Sequence, residues 1–414
     1  MSTKRLEQYE LKFLGGMPVV YHCHHFNLFL DQTIDDALGQ SGRELKRLSG
    51  RRAAAEFLPR MMRDATTPME RLRVAKDVFS SMGHGKLYFD VAKGGGTIRS
   101  PSLHYGVAWK EKYGETVRTD TPKDCFASGF AAAATALAYG LPGESLDSKE
   151  TQCLATRDSQ CSFEVTTSTA ALPMGRAVDI DTIVPTLKSC PKGKNEAAID
   201  AIVTGLNQFL AGVKPDSRGL VEAFGVYITL HLANYYNSIS FGALREVSQR
   251  GPEFVDVFAD LLRESGHVCV FNTFGGIISS PEWEGLVGAP ENNPEVIATW
   301  CLAIARALGF GRWSLESFRE GQEMVLVTPS NYEAPYFGLR EKKSVGQESP
   351  EYFFQGASAA IMHLAHTVNW QKKPSFTHSA YLKLFEIGEL PWITEQSDCA
   401  SFGTTYSRVR VRSR

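Results

Sequence analysis

CFASGFAAAATALAYG, residues 125–140, returns as YFFQGASAAIMHLAHT at 352–367, with Gly129 on Gly356. MGHGKLYF at 82–89 returns as LGFGRWSL at 308–315, so that Gly83 and Gly85 fall on Gly309 and Gly311 and Lys86 on Arg312. Between these, Ser100-Pro101-Ser102 falls on Thr328-Pro329-Ser330. Three segments displaced by nearly the same length mark a tandem duplication, to be read as one supersecondary unit made twice. Farther out the match loosens. Val20 to Asn27 resembles the segment ending at Asn234, which sets His24 on His231, and Cys153-Leu154-Ala155 resembles Cys399-Ala400-Ser401.

Each copy reads in the same order. Phe26, Leu30, Ile34 and Leu38 recur at near-helical spacing, and a second helix is predicted to end near Gly83. Short strands follow, with Leu87 and Phe89 on one face and a turn at Gly94-Gly95-Gly96. A small-residue helix over 129–139, a Cys-bearing turn and a closing strand complete the unit. The pattern predicts an α+β fold, two tandem related domains with helices packed on an antiparallel sheet. Residues 1–168 form the first domain and 217–414 the second. The connector, 169–216, is punctuated by Pro173, Pro185 and Pro191 and carries a helix with Ile199, Val203, Leu206 and Leu210 in one stripe.

The 414 residues are 22% charged and 43% hydrophobic, which excludes wholesale disorder. Forty-four basic against 46 acidic residues leave a net charge of -2, without the basic surplus that a nucleic-acid partner requires. No stretch approaches 18 consecutive apolar residues, so no membrane span is expected. The opening MSTKRLEQYELKFLGG is charged where a signal peptide is apolar, and a cytoplasmic chain is expected. Gly94-Gly95-Gly96-Thr97 lacks the Lys-Ser/Thr of a phosphate loop, and no Gly-x-Ser-x-Gly elbow occurs. Arg408, Arg410, Arg412 and Arg414 alternate with Val409 and Val411, as on the solvated face of a last strand.

Metal-ligating residues crowd the first copy. Four of the eight cysteines, Cys23, Cys125, Cys153 and Cys161, lie there with His22, His24, His25, His84 and His104. Glu150 and Cys153 are three apart, so that one turn can aim both inward, and Cys161 returns from the start of the last strand. Cys125, opening the small-residue helix, is the best fourth ligand for a tetrahedral zinc.

Asp124-Cys125-Phe126 running into Ser128-Gly129-Phe130, then Glu-x-x-Cys-x-Ala-x-x-Asp-x-x-Cys over 150–161, resembles the 4-vinyl-reductase domain family. The likeness is nearest to the sensor domains of phenol- and toluene-responsive bacterial regulators, good over about residues 75–168 and looser before them. It implies a structural zinc on Cys125, Glu150, Cys153 and Cys161. The second copy departs from the pattern, with Tyr352, Gln396 and Ser407 in place of Cys125, Glu150 and Cys161 and only Cys399 kept. Such domains pair as homodimers, so the second copy is expected to act as a built-in pseudo-partner, homodimerisation of the whole chain being left open. In the sensors a histidine and a tryptophan hold the phenol hydroxyl. His104 lies about where that tryptophan falls, and His84 is a looser match to the histidine.

His22, His24, His25, His84 and His104 suit either metal binding or proton transfer, with surface or helix-capping histidines as the plainer alternative. Two functions follow. One is a metal-containing enzyme acting on a small, aromatic or heteroatom-bearing metabolite in the first domain, with those histidines catalytic and iron or haem as a further cofactor. The other is a non-catalytic sensor or carrier of a small-molecule ligand, with a structural zinc.

Overall fold

The computed structural model describes residues 3–113, 119–168, 177–341, 349–385 and 392–414; Pro173 of the expected connector lies outside them. The first copy opens with strands β1 (Lys4–Leu6), β2 (Leu11–Leu14) and β3 (Met17–Cys23). Helices α1 (His24–Leu38), α2 (Gln40–Met61) and α3 (Pro68–Ser81) follow. The chain makes three helices where periodicity predicts two. Thr67 caps Glu70 and is capped by it in return, with Pro68 at the first helical position, so a new helix starts there. Strands β4 (Tyr88–Ala92) and β5 (Gly95–Ser100) lead to α4 (His104–Ala108), which runs into a π-helical turn, Trp109–Tyr113. Helix α5 (Cys125–Ala138) and strands β6 (Leu146–Gln152) and β7 (Cys161–Thr167) close the copy.

After α6 (Ile180–Ile183) and α7 (Glu196–Gly212) the order repeats: β8 (Val221–Ala223), β9 (Val226–Leu232), α8 (Ala233–Arg250) and α9 (Glu253–Ile278). Then come α10 (Pro281–Leu286), α11 (Pro294–Leu308), β10 (Ser314–Arg319), β11 (Glu323–Thr328) and α12 (Ala334–Tyr336), again entering a π-helical turn, Phe337–Glu341. Helices α13 (Tyr352–His366) and α14 (His378–Phe385) and strands β12 (Trp392–Asp398) and β13 (Ser407–Ser413) end the chain. The fold is α+β, with three antiparallel sheets. Two are copies of each other, ordered β4-β5-β7-β6 and β10-β11-β13-β12. On β13, Val409 and Val411 are fully buried while Arg408 pairs with Glu316 and Asp398, Arg410 with Glu323 and Arg412 with Glu395.

The duplicated glycines explain the duplicated packing. Helix α2 lies on α5, and α9 on α13, as the two most extensively packed pairs of elements. A Cβ on Gly129 would stand 2.2 Å from the Arg47 carbonyl, and one on Gly356 1.7 Å from the Arg263 carbonyl. Gly50 and Gly266 meet the backbones of Phe126 and Phe353 closely as well, at 2.9 and 2.6 Å. No side chain fits between these helices, so their backbones touch.

The third sheet belongs to both copies. Its order is β1-β2-β3-β9-β8, and β3 pairs antiparallel with β9 from Val19↔Leu232 to Cys23↔Ile228. The helices that follow these strands cross over. Helix α1 packs on α9 of the second copy, and α8 packs on α2 of the first, where Ser238 and Ser49 hydrogen-bond at 2.9 Å. Each copy thus lends its first helix to the other's core. The helix of the expected connector is also built in: Ile199, Val203, Leu206 and Leu210 of α7 are buried, α7 packs on α11, and the fully buried Arg306 binds Glu196 and Asp200.

Gly356→Ala should destabilise the chain by about 1–3 kcal/mol or more, as forced overpacking does. Gly276→Ala, in α9 with nothing within 4 Å of the added carbon, should stabilise it by up to about 1 kcal/mol. Urea midpoints of the two variants check this, and equal midpoints would contradict the close helix contact.

Candidate metal centre and buried histidines

Sequence spacing alone would send Glu150 and Cys153 to opposite faces of a strand, since side chains alternate. The register of β6 against β7 shifts between Glu150 and Gln152, a bulge that accommodates Thr151. The extra residue restores both side chains to one side. A β-bulge, not the helical turn expected from the spacing, therefore brings this pair together. Cys161 begins β7, and Asp124 ends the loop before α5. Ligand atoms of Asp124, Glu150, Cys153 and Cys161 all lie within 4.8 Å of one another.

Cys125 does not belong to this cluster, whose fourth member is its neighbour Asp124. At the first position of α5 the Cys125 thiol is pushed up to about 12 by burial, against the pull of Lys46. Asp124 Oδ2 lies 3.3 Å from Cys161 Sγ and 3.6 Å from Cys153 Sγ. The Asp124 amide donates to Glu150 Oε2 at 3.1 Å, while Glu150 Oε1 is buried without a partner. Both sulfurs accept backbone amides, Cys153 from Lys123 at 3.4 Å and Cys161 from Leu154 at 3.3 Å. A Cβ on Gly106 would come within 2.8 Å of Asp124 Oδ2, so a larger residue in α4 would displace that carboxylate from the cluster.

Two carboxyls and two thiols in one buried space repel as anions. Burial and then the Cys153 charge push the Asp124 carboxyl well up, and burial followed by Asp124 does the same to Glu150. The Cys161 hydrogen bond pulls the Cys153 thiol down to about 6, and the same contact pushes Cys161 up. A divalent cation would satisfy all four groups at once, and a set of two sulfurs and two oxygens is within the range of zinc.

In the second copy Glu351, Gln396, Cys399 and Ser407 stand in the same places, with the same bulge between Gln396 and Asp398. There the carboxylate is saturated by donors. Glu351 Oε1 accepts from the Ser401 amide and hydroxyl at 3.1 and 2.9 Å, and Oε2 from Asn331 at 2.9 Å and Gln396 at 3.0 Å. Hydrogen bonds do there what a cation would do in the first copy.

All five histidines of the first copy are buried, His22, His24, His25, His84 and His104 alike, which excludes the surface reading. His22 stacks on Phe26 at 3.9 Å and is ringed by Phe310, Tyr332 and Phe353 of the second copy. His231 stacks on Tyr235 at 4.8 Å and meets His84 and Phe126 of the first at 4.6 and 4.2 Å. Each stands two residues before a helix and stacks on the ring four residues on, so His22, not His24, is the counterpart of His231. Each plugs the interior of the opposite copy. His104 Nε2 accepts from Asn27 at 2.9 Å, and Asn27 Oδ1 accepts from Tyr236 at 2.5 Å, a polar seam between the halves. The His24 and His25 rings lie 4.0 Å apart, and His25 Nδ1 lies 3.5 Å from the Tyr113 hydroxyl. Among the described residues these histidines do not bring three ligand atoms within 4.8 Å of one another.

Other features escape sequence reasoning. Lys46 and Lys123 are buried with Asp31 and Asp35, at 2.6 Å for Lys46–Asp31 and 2.8 Å for Lys123–Asp35. Tyr381, His267 and His363 form a buried hydrogen-bonded chain with both contacts at 2.8 Å. Its one trace in the repeat is His363 at the place of Ala136. A cavity of about 670 Å³ opens at the seam between α1, α8, α9 and the first π-helical turn, walled by Leu28, Phe29, Trp109, Phe254, Phe258 and Leu261. Lys123 links it to the cluster of Asp124, Glu150, Cys153 and Cys161. Its ammonium binds Gln32 of the cavity wall at 2.6 Å and lies 4.8 Å over the Trp109 ring, while its amide donates to Cys153.

No helix among the described residues is long and apolar enough to cross a membrane. Comparison of the chain with protein-family models, with curated proteins and with solved structures finds no match in any of the three.

Burial holds the imidazoles of His22, His24, His84 and His231 well below their ordinary value and those of His25 and His104 at about 3. Unfolded imidazoles take up protons near pH 6.5, whereas the folded ones stay neutral to far lower pH. The imidazole contribution to stability should therefore be level above about pH 7 and fall as pH drops through 6.5. His25 and His104 should each cost about 2 kcal/mol by pH 5. Calorimetric melting from pH 8 to 4 checks this, and a melting temperature unchanged from pH 7 to 5 would contradict it.

Proposed function

We propose that the chain is a small-molecule-binding protein built from two copies of a domain like that of the 4-vinyl-reductase family. In this reading a zinc ion on Asp124, Glu150, Cys153 and Cys161 supports the first copy and does no chemistry. The observation that carries it is the convergence of four protein ligand groups, three of them buried and the fourth, the half-buried Glu150, with its Oε1 buried and without a hydrogen-bond partner. Four protein ligands complete a tetrahedral zinc and leave no position for substrate, as in structural sites. The family-like motif over 150–161 supports the same assignment. The ligand belongs in the seam cavity, whose size and apolar walls match those of ordinary ligand pockets, roughly 300–1,000 Å³.

A catalytic role for the first copy's histidines is the second reading. It is favoured by the buried ring nitrogens His24 Nδ1, His84 Nε2 and His104 Nδ1, which have no partner. The void beside His22 measures only about 10 Å³, room for no more than one water, and gives a substrate no place there.

Protein purified without chelators should contain one zinc per chain. Asp124→Ala and Cys161→Ala should lose it together with stability of the first copy, and Cys125→Ala should keep it. Elemental analysis of the three variants decides the matter: metal retained in Asp124→Ala and lost in Cys125→Ala would return the fourth position to Cys125, and absence of zinc from the parent would end the assignment.

A further inference from the structure

Among the described residues, one charged group of the seam cavity is left without a hydrogen bond or ion pair. Glu264 of α9 lines it, half-buried, and has no hydrogen-bond or ion-pair partner among the described residues. The other charges on its rim are engaged. Arg250 donates to the carbonyls of Ala37 and Leu38 at 2.7 and 3.3 Å. Asp36 is exposed and accepts from Gln32 at 2.6 Å. Burial holds the His378 imidazole below its ordinary value, hence neutral near pH 7. An anionic ligand would therefore meet an unopposed carboxylate, and a neutral one would leave it unpaired in an apolar space, at a loss. Apart from Gln32 and Thr33 the remaining wall is aromatic and aliphatic, and Phe254 and Val257 at its mouth are 51% and 60% exposed, an apolar rim.

We infer that this cavity takes a hydrophobic organic amine, with its ammonium on the Glu264 carboxylate and its apolar body against Phe29, Trp109, Phe254 and Phe258. The inference rests on the binding function proposed above and adds the chemical class of the ligand. Aromatic faces attract an organic cation as well as burying its hydrocarbon. The same cavity volume would hold a neutral hydrocarbon of equal size, so discrimination comes from Glu264.

The test is calorimetric titration of the full, metal-loaded chain with 2-(1-naphthyl)ethylamine and with the alcohol and the carboxylate built on the same naphthyl frame. The amine should bind at least about tenfold more tightly than the alcohol, as a charge-assisted hydrogen bond gives, with the carboxylate weakest. Glu264→Gln should bring the amine down to the alcohol and leave the alcohol unchanged. Leu261→Trp, which fills the cavity, should abolish binding of all three in a protein whose circular dichroism and zinc content are those of the parent. An alcohol or carboxylate bound as tightly as the amine, or an amine preference that survives Glu264→Gln, overturns the amine assignment and leaves the binding function standing. Unchanged binding in a folded Leu261→Trp variant overturns the site. Failure of all three compounds to bind the parent overturns the binding function itself.

Discussion

The pairing of β3 with β9 is the contact on which the rest of the molecule depends. It places the end of each strand, and the helix that follows it, over the opposite copy. His22 then fills the space among Phe310, Tyr332 and Phe353, and His231 the space beside His84 and Phe126. Neither copy has a complete core without the other's strand and helix. The seam cavity is a by-product of the same crossing, since its walls are drawn from α1 on one side and α8 and α9 on the other.

Within that frame the two copies solve one local problem in two ways. A bulged strand, a short 3-10 turn and the loop before a small-residue helix bring four polar side chains together in both. In the first copy these are acids and thiols, which can be held together by a cation or by protons. In the second they are one acid and its donors, which need neither. The substitutions Glu150 to Gln396 and Cys161 to Ser407 each exchange a group that is anionic when metal-bound for a neutral one. The geometry survives because hydrogen bonds to a buried carboxylate are charge-assisted and strong.

The repeat is legible because glycine tolerates no substitute where helix backbones touch, and so Gly129 and Gly356 stand out from diverged surroundings. The strand and helix order follows from it, as do three members of the polar cluster. Asp124 escapes the sequence because its role depends on a loop conformation that no spacing rule specifies, while the neighbouring Cys125 offers the more familiar ligand. The bulge escapes it for a like reason: Glu-x-x-Cys suits one helical turn, and only the pairing with β7 reveals an interrupted strand. The exchange of helices leaves no local trace either, because a buried apolar face is the same whether its partner comes from its own copy or the other. Without that exchange in view, His24 rather than His22 falls on His231.

Joining the two copies in one chain has a kinetic and thermodynamic consequence. An exchanged pair of separate subunits would associate in a second-order step, and its stability would rise with protein concentration. Here the partner is always present, because the pairing of β3 with β9 is made within one chain and does not depend on protein concentration. Assembly is first order, dilution cannot separate the halves, and every first copy is matched with a second whose polar cluster is closed by hydrogen bonds. The second copy can therefore hold the first helix of its neighbour in place whatever the charge state of the neighbour's acids and thiols.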